Sequence, residues 1–346
     1  MPLGPVEYLE SVLDEPLTPA QAFILKMVYG EPFRPGNDGI QTRDDLGHGP
    51  PSHHNEEEYL RYLRRRERSS TDTQTSLGFT TTVLALGRRS GKSHLNTLIQ
   101  FYSIHLFESL EQARFTCMDF SPTQEMARMS HRALRDLLSE HMLLQRETRD
   151  SLEVSLSGGK TVTFRFFSFG EILRQSRGST LDLVTVQELG FESNNQGREA
   201  IEAIMPAFGQ HTRLILTSTP NGRRGSFWYF YQTAMRQPNW LALRIPTWEA
   251  YPNITEAQLE EIWRADPIRF EGDFGANFVD PALLPQPVMM TPNRWRDSPP
   301  VALPVREEVP LPPPRSRYQI LLEELEQLQQ VESVGLSSVP SDAELT

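Results

Sequence analysis

Residues 83–93 hold the densest chemistry in this sequence. Four apolar residues, Val83, Leu84, Ala85 and Leu86, lead into a bend of Gly87, Arg88, Arg89, Ser90 and Gly91, followed by Lys92 and Ser93. Leu95, Leu98, Ile99, Tyr102, Ile104 and Leu106 then recur at helical spacing. Strand, glycine-bearing loop, helix is the order of a phosphate-binding loop. Gly91 lets backbone N–H groups approach phosphate oxygens, and the helix N-terminus adds positive potential there. Lys92 reaches the β- and γ-phosphates, and Ser93 offers its hydroxyl to Mg2+. The loop departs from G-x-x-x-x-G-K-[ST] at its first glycine, where Leu86 stands. An ordinary glycine-containing β-to-α turn is the competing reading.

Two further stretches carry polar groups at strand ends. Leu181–Val186 suits a buried parallel strand, and it ends at Gln187 and Glu188. Nucleotide hydrolases of this type usually end that strand in Asp-Glu, with the Asp supporting Mg2+ and the Glu orienting or activating the attacking water. Gln187 stands in the Asp position; its amide can hydrogen-bond a metal-bound water but brings no charge, so its place at a metal is doubtful. Glu188 keeps the water-activating position, or is an exposed glutamate at a helix start. Arg213–Ser218 reads as another buried strand, running into Thr219, Pro220, Asn221 and Gly222. Hydroxyls at that end can sense a γ-phosphate and pass a change onward; plain turn chemistry is the alternative.

Composition bounds the setting. The chain has 346 residues and a formal charge of −11, which argues against coating nucleic acid with its whole surface but leaves room for a small basic patch. One cysteine, Cys117, permits no internal disulfide and no Cys-built metal site. No apolar run approaches the roughly 20 residues of a membrane helix, and no secretory pattern opens the chain. The expectation is a protein of a reducing cytoplasm with no membrane partner.

The elements that must position these groups follow in order. Residues 1–33 read as an N-terminal arm, loose to residue 16, then a helix over 18–29 that Thr18 caps and Pro19 starts. Gln21 lies one turn in; it is a solvated helix residue, or its amide contacts both edges of an adenine. Residues 34–76 are a polar insertion, partly helical near Tyr59–Arg68. Its Arg61, Arg64, Arg65, Arg66 and Arg68 form a solvated face balanced by Glu56, Glu57 and Glu58, or touch DNA phosphates. Residues 77–249 form the α/β core, a mainly parallel sheet flanked by helices. It has strands over Arg114–Phe120 and Trp240–Ile245 and a hairpin over Leu152–Phe169 around Ser157-Gly158-Gly159. Helices are expected over Pro122–Leu138, Glu199–Phe208 and Phe227–Met235. Residues 250–280 make a small lid of two short helices, Thr255–Ala265 and Pro267–Gly275. Residues 281–346 are a Pro-rich, extended tail with an amphipathic helix over Tyr318–Glu332 that needs something to pack on.

Taken together these patterns resemble the large terminase subunit of tailed double-stranded DNA bacteriophages over about residues 17–280. The loop at 87–93, Arg177-Gly178-x-Thr180-Leu181-Asp182, and Ser218-Thr219-Pro220-x-Gly222 carry the likeness. So do Thr18-x-x-Gln21 with Tyr29-Gly30, and Phe270-Glu271 through Phe278-Val279-Asp280. The resemblance implies a P-loop ATPase using ATP and Mg2+ in a homo-oligomeric ring. The ring would sit in the cytoplasm of the infected host, on the portal protein of an empty capsid, driving double-stranded DNA inward with a small terminase subunit. By position, Gln21 would read adenine. Gly87, Arg88, Arg89, Ser90, Gly91 and Lys92 would hold phosphates, and Ser93 would hold Mg2+. Glu188 would be the catalytic carboxylate, with Arg88 on the phosphates, and Ser218 and Thr219 would couple hydrolysis to movement. Arg177 is either a finger into the neighbouring subunit's nucleotide or an intrachain structural arginine. The family continues into a nuclease domain that the Pro-rich tail does not match, so no nuclease is expected in this chain and a separate one becomes a candidate partner. The rival functions are a catalytically weakened ATP-binding scaffold, motivated by Gln187, and a P-loop helicase.

Overall fold

The structure, a computed structural model, describes residues 3–14, 16–33, 39–43, 52–171, 180–192, 196–251 and 253–279. Arg177, the 281–346 tail and its expected helix lie outside the described residues.

Among the described residues eight strands form one sheet, in the order β10-β3-β9-β8-β4-β7-β6-β5. The first six in that order are parallel: β10 (Trp240–Ile245), β3 (Thr81–Leu86), β9 (Phe208–Ser218), β8 (Leu181–Gln187), β4 (Arg114–Ser121) and β7 (Thr161–Ser168). The hairpin partner β6 (Ser151–Ser155) and the edge strand β5 (Leu144–Glu147) are antiparallel. A separate two-stranded ribbon pairs β1 (Ile40–Thr42) with β2 (Ser52–His54). Fully buried strands need apolar residues on both faces, and β3 shows it. Leu84 and Leu86 join the core on one face, Val83 and Ala85 the core on the other. α4 (Lys92–Glu108) and α5 (Gln124–Glu140) cover the first face; α6 (Gln196–Ile204) and α7 (Gly225–Ala234) cover the second. The fold is α/β, a mainly parallel sheet between helical layers.

Three expectations change. The first residues are not a loose arm: α1 (Pro5–Leu13) packs on the core, with Leu9 fully buried and Tyr8 stacked on His105 of α4 at 4.1 Å between ring centres. The helix expected to reach Phe208 stops at Ile204, and Phe208 already pairs with Leu181 in the sheet. Pro206 cannot donate to a continuing helix ladder, so a short 3-10 turn intervenes. In the insertion, α3 (Glu56–Arg65) buries Tyr59, Leu60 and Leu63. Two of the charges expected on a solvated face are inside: Glu56 pairs with Lys26 at 2.7 Å, and Arg68 pairs with Glu249 at 2.8 Å.

After β10 come α8 (Thr247–Ala250), α9 (Glu256–Ala265) and α10 (Pro267–Asp273). Ile254, Leu259, Trp263 and Phe270 form a small core of their own there.

Candidate functional site

Parallel topology brings the C-terminal ends of β3, β9, β8 and β10 to one edge of the sheet, where ligands of open α/β folds bind. β9 lies between β3 and β8, with Thr217 beside both Leu84 and Gln187, and Ser218 beside Ala85. The loop after β3 and the acid after β8 therefore meet across one strand.

The loop is built by close backbone approach. Gly87 donates its N–H to Ile245 O, and a Cβ at this position would overlap the Thr247 hydroxyl. That hydroxyl donates to Arg88 O at 2.7 Å. Gly91, at φ +76°, turns the chain into α4, and no side chain caps the first helical N–H groups. Lys92 Nζ donates to Gly87 O at 3.2 Å and lies 3.6 Å from Glu188 Oε1. Burial pushes the Lys92 pKa down, and the neighbouring Glu188 carboxylate works against that shift. Ser93 is exposed on the first turn of α4.

Glu188 follows β8 in a left-handed backbone conformation, φ 50° and ψ 38°, that a glutamate rarely takes. The bend aims its carboxylate across the sheet edge. One oxygen faces Lys92; the other accepts from Thr219 N–H at 3.2 Å and from the Ser218 hydroxyl at 3.3 Å. Lys92, Glu188, Ser218 and Thr219 are thus in contact.

The remaining expected residues stand as follows. Gln21 is buried beside the loop, its Nε2 within 3.3 Å of where a Gly91 Cβ would sit. Its Oε1, however, accepts from Thr18 N–H at 3.0 Å in a capping box, so one edge of the amide is already committed. Arg88 turns its guanidinium to Asp273 in the lid, Nε to Oδ2 at 3.1 Å, and Arg89 is exposed at φ 62°. Gln187 does not extend toward the loop with its nitrogen: Nε2 donates to both oxygens of Asp119, at 3.0 and 3.1 Å, and to Ser130 Oγ at 2.7 Å. The carboxylate near Gln187 is Asp119, which is buried and also accepts from Gln100 and Thr185; burial pushes its pKa up to about 6.

Two buried polar atoms near the loop, Ser90 Oγ and Asn96 Nδ2, have no hydrogen-bond partner among the described residues. Orphaned donors at a helix start, an ammonium and a neighbouring hydroxyl are the donor set a polyphosphate with Mg2+ takes, so the residues present fit that group. Thr247, Asp119 and Asp273 were missed in the sequence. For Asp119 a signal existed, an acid in the middle of a buried strand.

No protein-family model and no curated protein matches the sequence. Solved structures do. The large terminase ATPase domain of Thermus phage P74-26 matches at 21% identity and TM-score 0.46, over 58% of this chain and 89% of that one. The large terminase of a thermophilic bacteriophage, in complex with ATP-γ-S, matches at 15% and 0.46, over 58% and 48%. The HK97 bacteriophage large terminase matches at 14% and 0.47, over 69% and 53%. The chain spans about half the length of the last two. It is similar to the ATPase domains of phage large terminases.

Proposed function

We propose that this chain is an ATP-hydrolysing motor subunit that moves viral double-stranded DNA into an empty capsid. The observation that supports this reading best is the convergence of Lys92 and Glu188, 3.6 Å apart, with Ser218 and Thr219 on the far oxygen of the same carboxylate.

The chemistry follows from those contacts. The N–H groups of Arg89 and Gly91 in the bend, with those at the start of α4, cradle phosphate oxygens, while the Gly87, Arg88 and Ser90 N–H groups hold the loop's own shape; Lys92 neutralises charge there. Ser93 would hold Mg2+, which when bound spreads the charge developing on the transferred phosphoryl group. Once a triphosphate takes Lys92, Glu188 is released from its ion pair and accepts the proton of the attacking water. Loss of the γ-phosphate changes what Glu188 faces, and its hydrogen bonds to Ser218 and Thr219 N–H carry that change into the turn before α7. Force on DNA, the portal and small-subunit partners, and a ring on the procapsid in the host cytoplasm belong to this proposal. A catalytically weakened scaffold is the second reading, favoured by Gln187 being bonded to Asp119.

Steady-state ATPase with procapsids and double-stranded DNA tests the choice. Glu188→Gln is expected to lower turnover by about 10²–10⁴-fold, the range of a lost acid–base group, and Lys92→Ala by about 10²–10³-fold, the range of a lost charge-stabilising donor. Absent turnover in the unsubstituted chain would favour the scaffold.

A further inference from the structure

Gln187 occupies a position where a charged side chain is expected, and its surroundings show what stands in for that charge. β4 and β8 are parallel neighbours, with Asp119 opposite Thr185. The Asp119 carboxylate is 1% exposed and lies on the α4–α5 face of the sheet, accepting from Gln100 of α4 at 3.0 Å and Thr185 at 2.6 Å. A carboxylate only accepts, so the nitrogen of the Gln187 amide must face it. That nitrogen has two hydrogens, and Asp119 and Ser130 take both. The polar atom left over is the Gln187 carbonyl oxygen, which has no hydrogen-bond partner among the described residues.

This oxygen belongs to the last residue of β8, immediately before Glu188. On the same face, Thr217, opposite Gln187 in the neighbouring strand, donates to Asn96 on the first turns of α4. Were residue 187 an aspartate, two carboxylates would meet at about 3 Å in a dry site, and one would stay protonated. Gln187 and Asp119 therefore make one device, a single acid and a single amide, with the acid displaced by one strand.

We propose that Asp119 is a positioning residue of the nucleotide site, holding the Gln187 carbonyl oxygen ready to accept from water bound to the metal. The inference rests on the ATPase reading above.

The test is binding of a fluorescent ADP analogue to the full chain, in Mg2+ and in EDTA. Asp119→Asn is expected to cut the ratio of the two affinities by about 10-fold or more, as loss of an outer-shell partner does. The affinity in EDTA should not move, because the contacts of Lys92 and the loop do not pass through Asp119. Gln187→Asp is expected to lower the same ratio, and the exchange Asp119→Asn with Gln187→Asp to restore most of it. A merely structural role would lower both affinities together and would not be rescued by the exchange. If Asp119→Asn does not melt cooperatively, Ser130→Ala carries the test, with a smaller fall in the same ratio. An unchanged ratio in the folded variant, or an exchange no better than either single change, overturns the inference. Failure of the unsubstituted chain to bind the probe in Mg2+ would instead overturn the ATPase reading.

Discussion

At the scale of single residues, two carboxylates divide the work by environment. Glu188 is partly exposed and paired with Lys92, so it is ready to be released when a phosphate competes for the ammonium. Asp119 is enclosed, and burial raises its pKa from 3.8 to about 6. The native state thus holds this proton more tightly than the unfolded chain. The sign follows: this group contributes its stability below the unfolded value and loses it as pH rises through about 6. Unfolding free energy measured by denaturant between pH 8 and 4 should therefore fall less on acidification in the unsubstituted protein than in Asp119→Asn. The difference should approach about 3 kcal/mol, from 1.36 kcal/mol per pKa unit. Parallel curves would show that Asp119 keeps an ordinary pKa.

At the scale of elements, α1 shows why a short helix is hard to read. Val6 and Leu9 sit on one face, but nine residues cannot hold a helix in water without a surface to bury against. That surface is α4, ninety residues on: Tyr8 stacks on His105, and Tyr102 Oη donates to Leu3 O at 3.1 Å. Glu31 adds a cap by accepting from Val6 N–H at 3.1 Å. Leu9→Ala is expected to cost about 2–5 kcal/mol in unfolding free energy, the range for a fully buried leucine. A change near zero would mean these residues are loosely held after all. α2 behaves oppositely, because Thr18, Pro19, Gln21 and Gly30 are local signals that act through hydrogen bonds within three or four residues.

At the scale of the molecule, buried charges tie the insertion to the site. Lys26 of α2 meets Glu56 of α3, and Tyr59 and Arg68 both meet Glu249 of α8. α8 also carries Thr247, which braces the loop at Gly87 and Arg88. The insertion thus clamps the helix bearing Gln21 to the segment supporting the phosphate loop. Glu249→Ala removes the buried carboxylate that both the 6%-exposed Arg68 side chain and Tyr59 meet, and is expected to destabilise by about 3–5 kcal/mol. Changing Arg68→Met, Glu249→Leu and Tyr59→Phe together should recover most of that loss in thermal or denaturant melts, since apolar side chains of similar volume carry no desolvation penalty and no buried Tyr59 hydroxyl is left without its acceptor. A triple variant as unstable as the single one would contradict this account.

The amino-acid order alone determined the strand–loop–helix at 83–106, the acid after Gln187, the hydroxyls after Leu216 and the mainly parallel α/β core. Each of these is written in spacing within one element: runs of buried residues, a period of 3.6, a glycine at a turn. What only the tertiary structure decided is which side chains meet. Gln187 finds Asp119 because β4 lies beside β8, Arg88 finds Asp273 because the lid returns to the loop, and Gln21 reaches Gly91 because α2 packs against α4. Partners separated by dozens of residues depend on strand order and register. Those are set by how the whole apolar surface is buried, which no local spacing records.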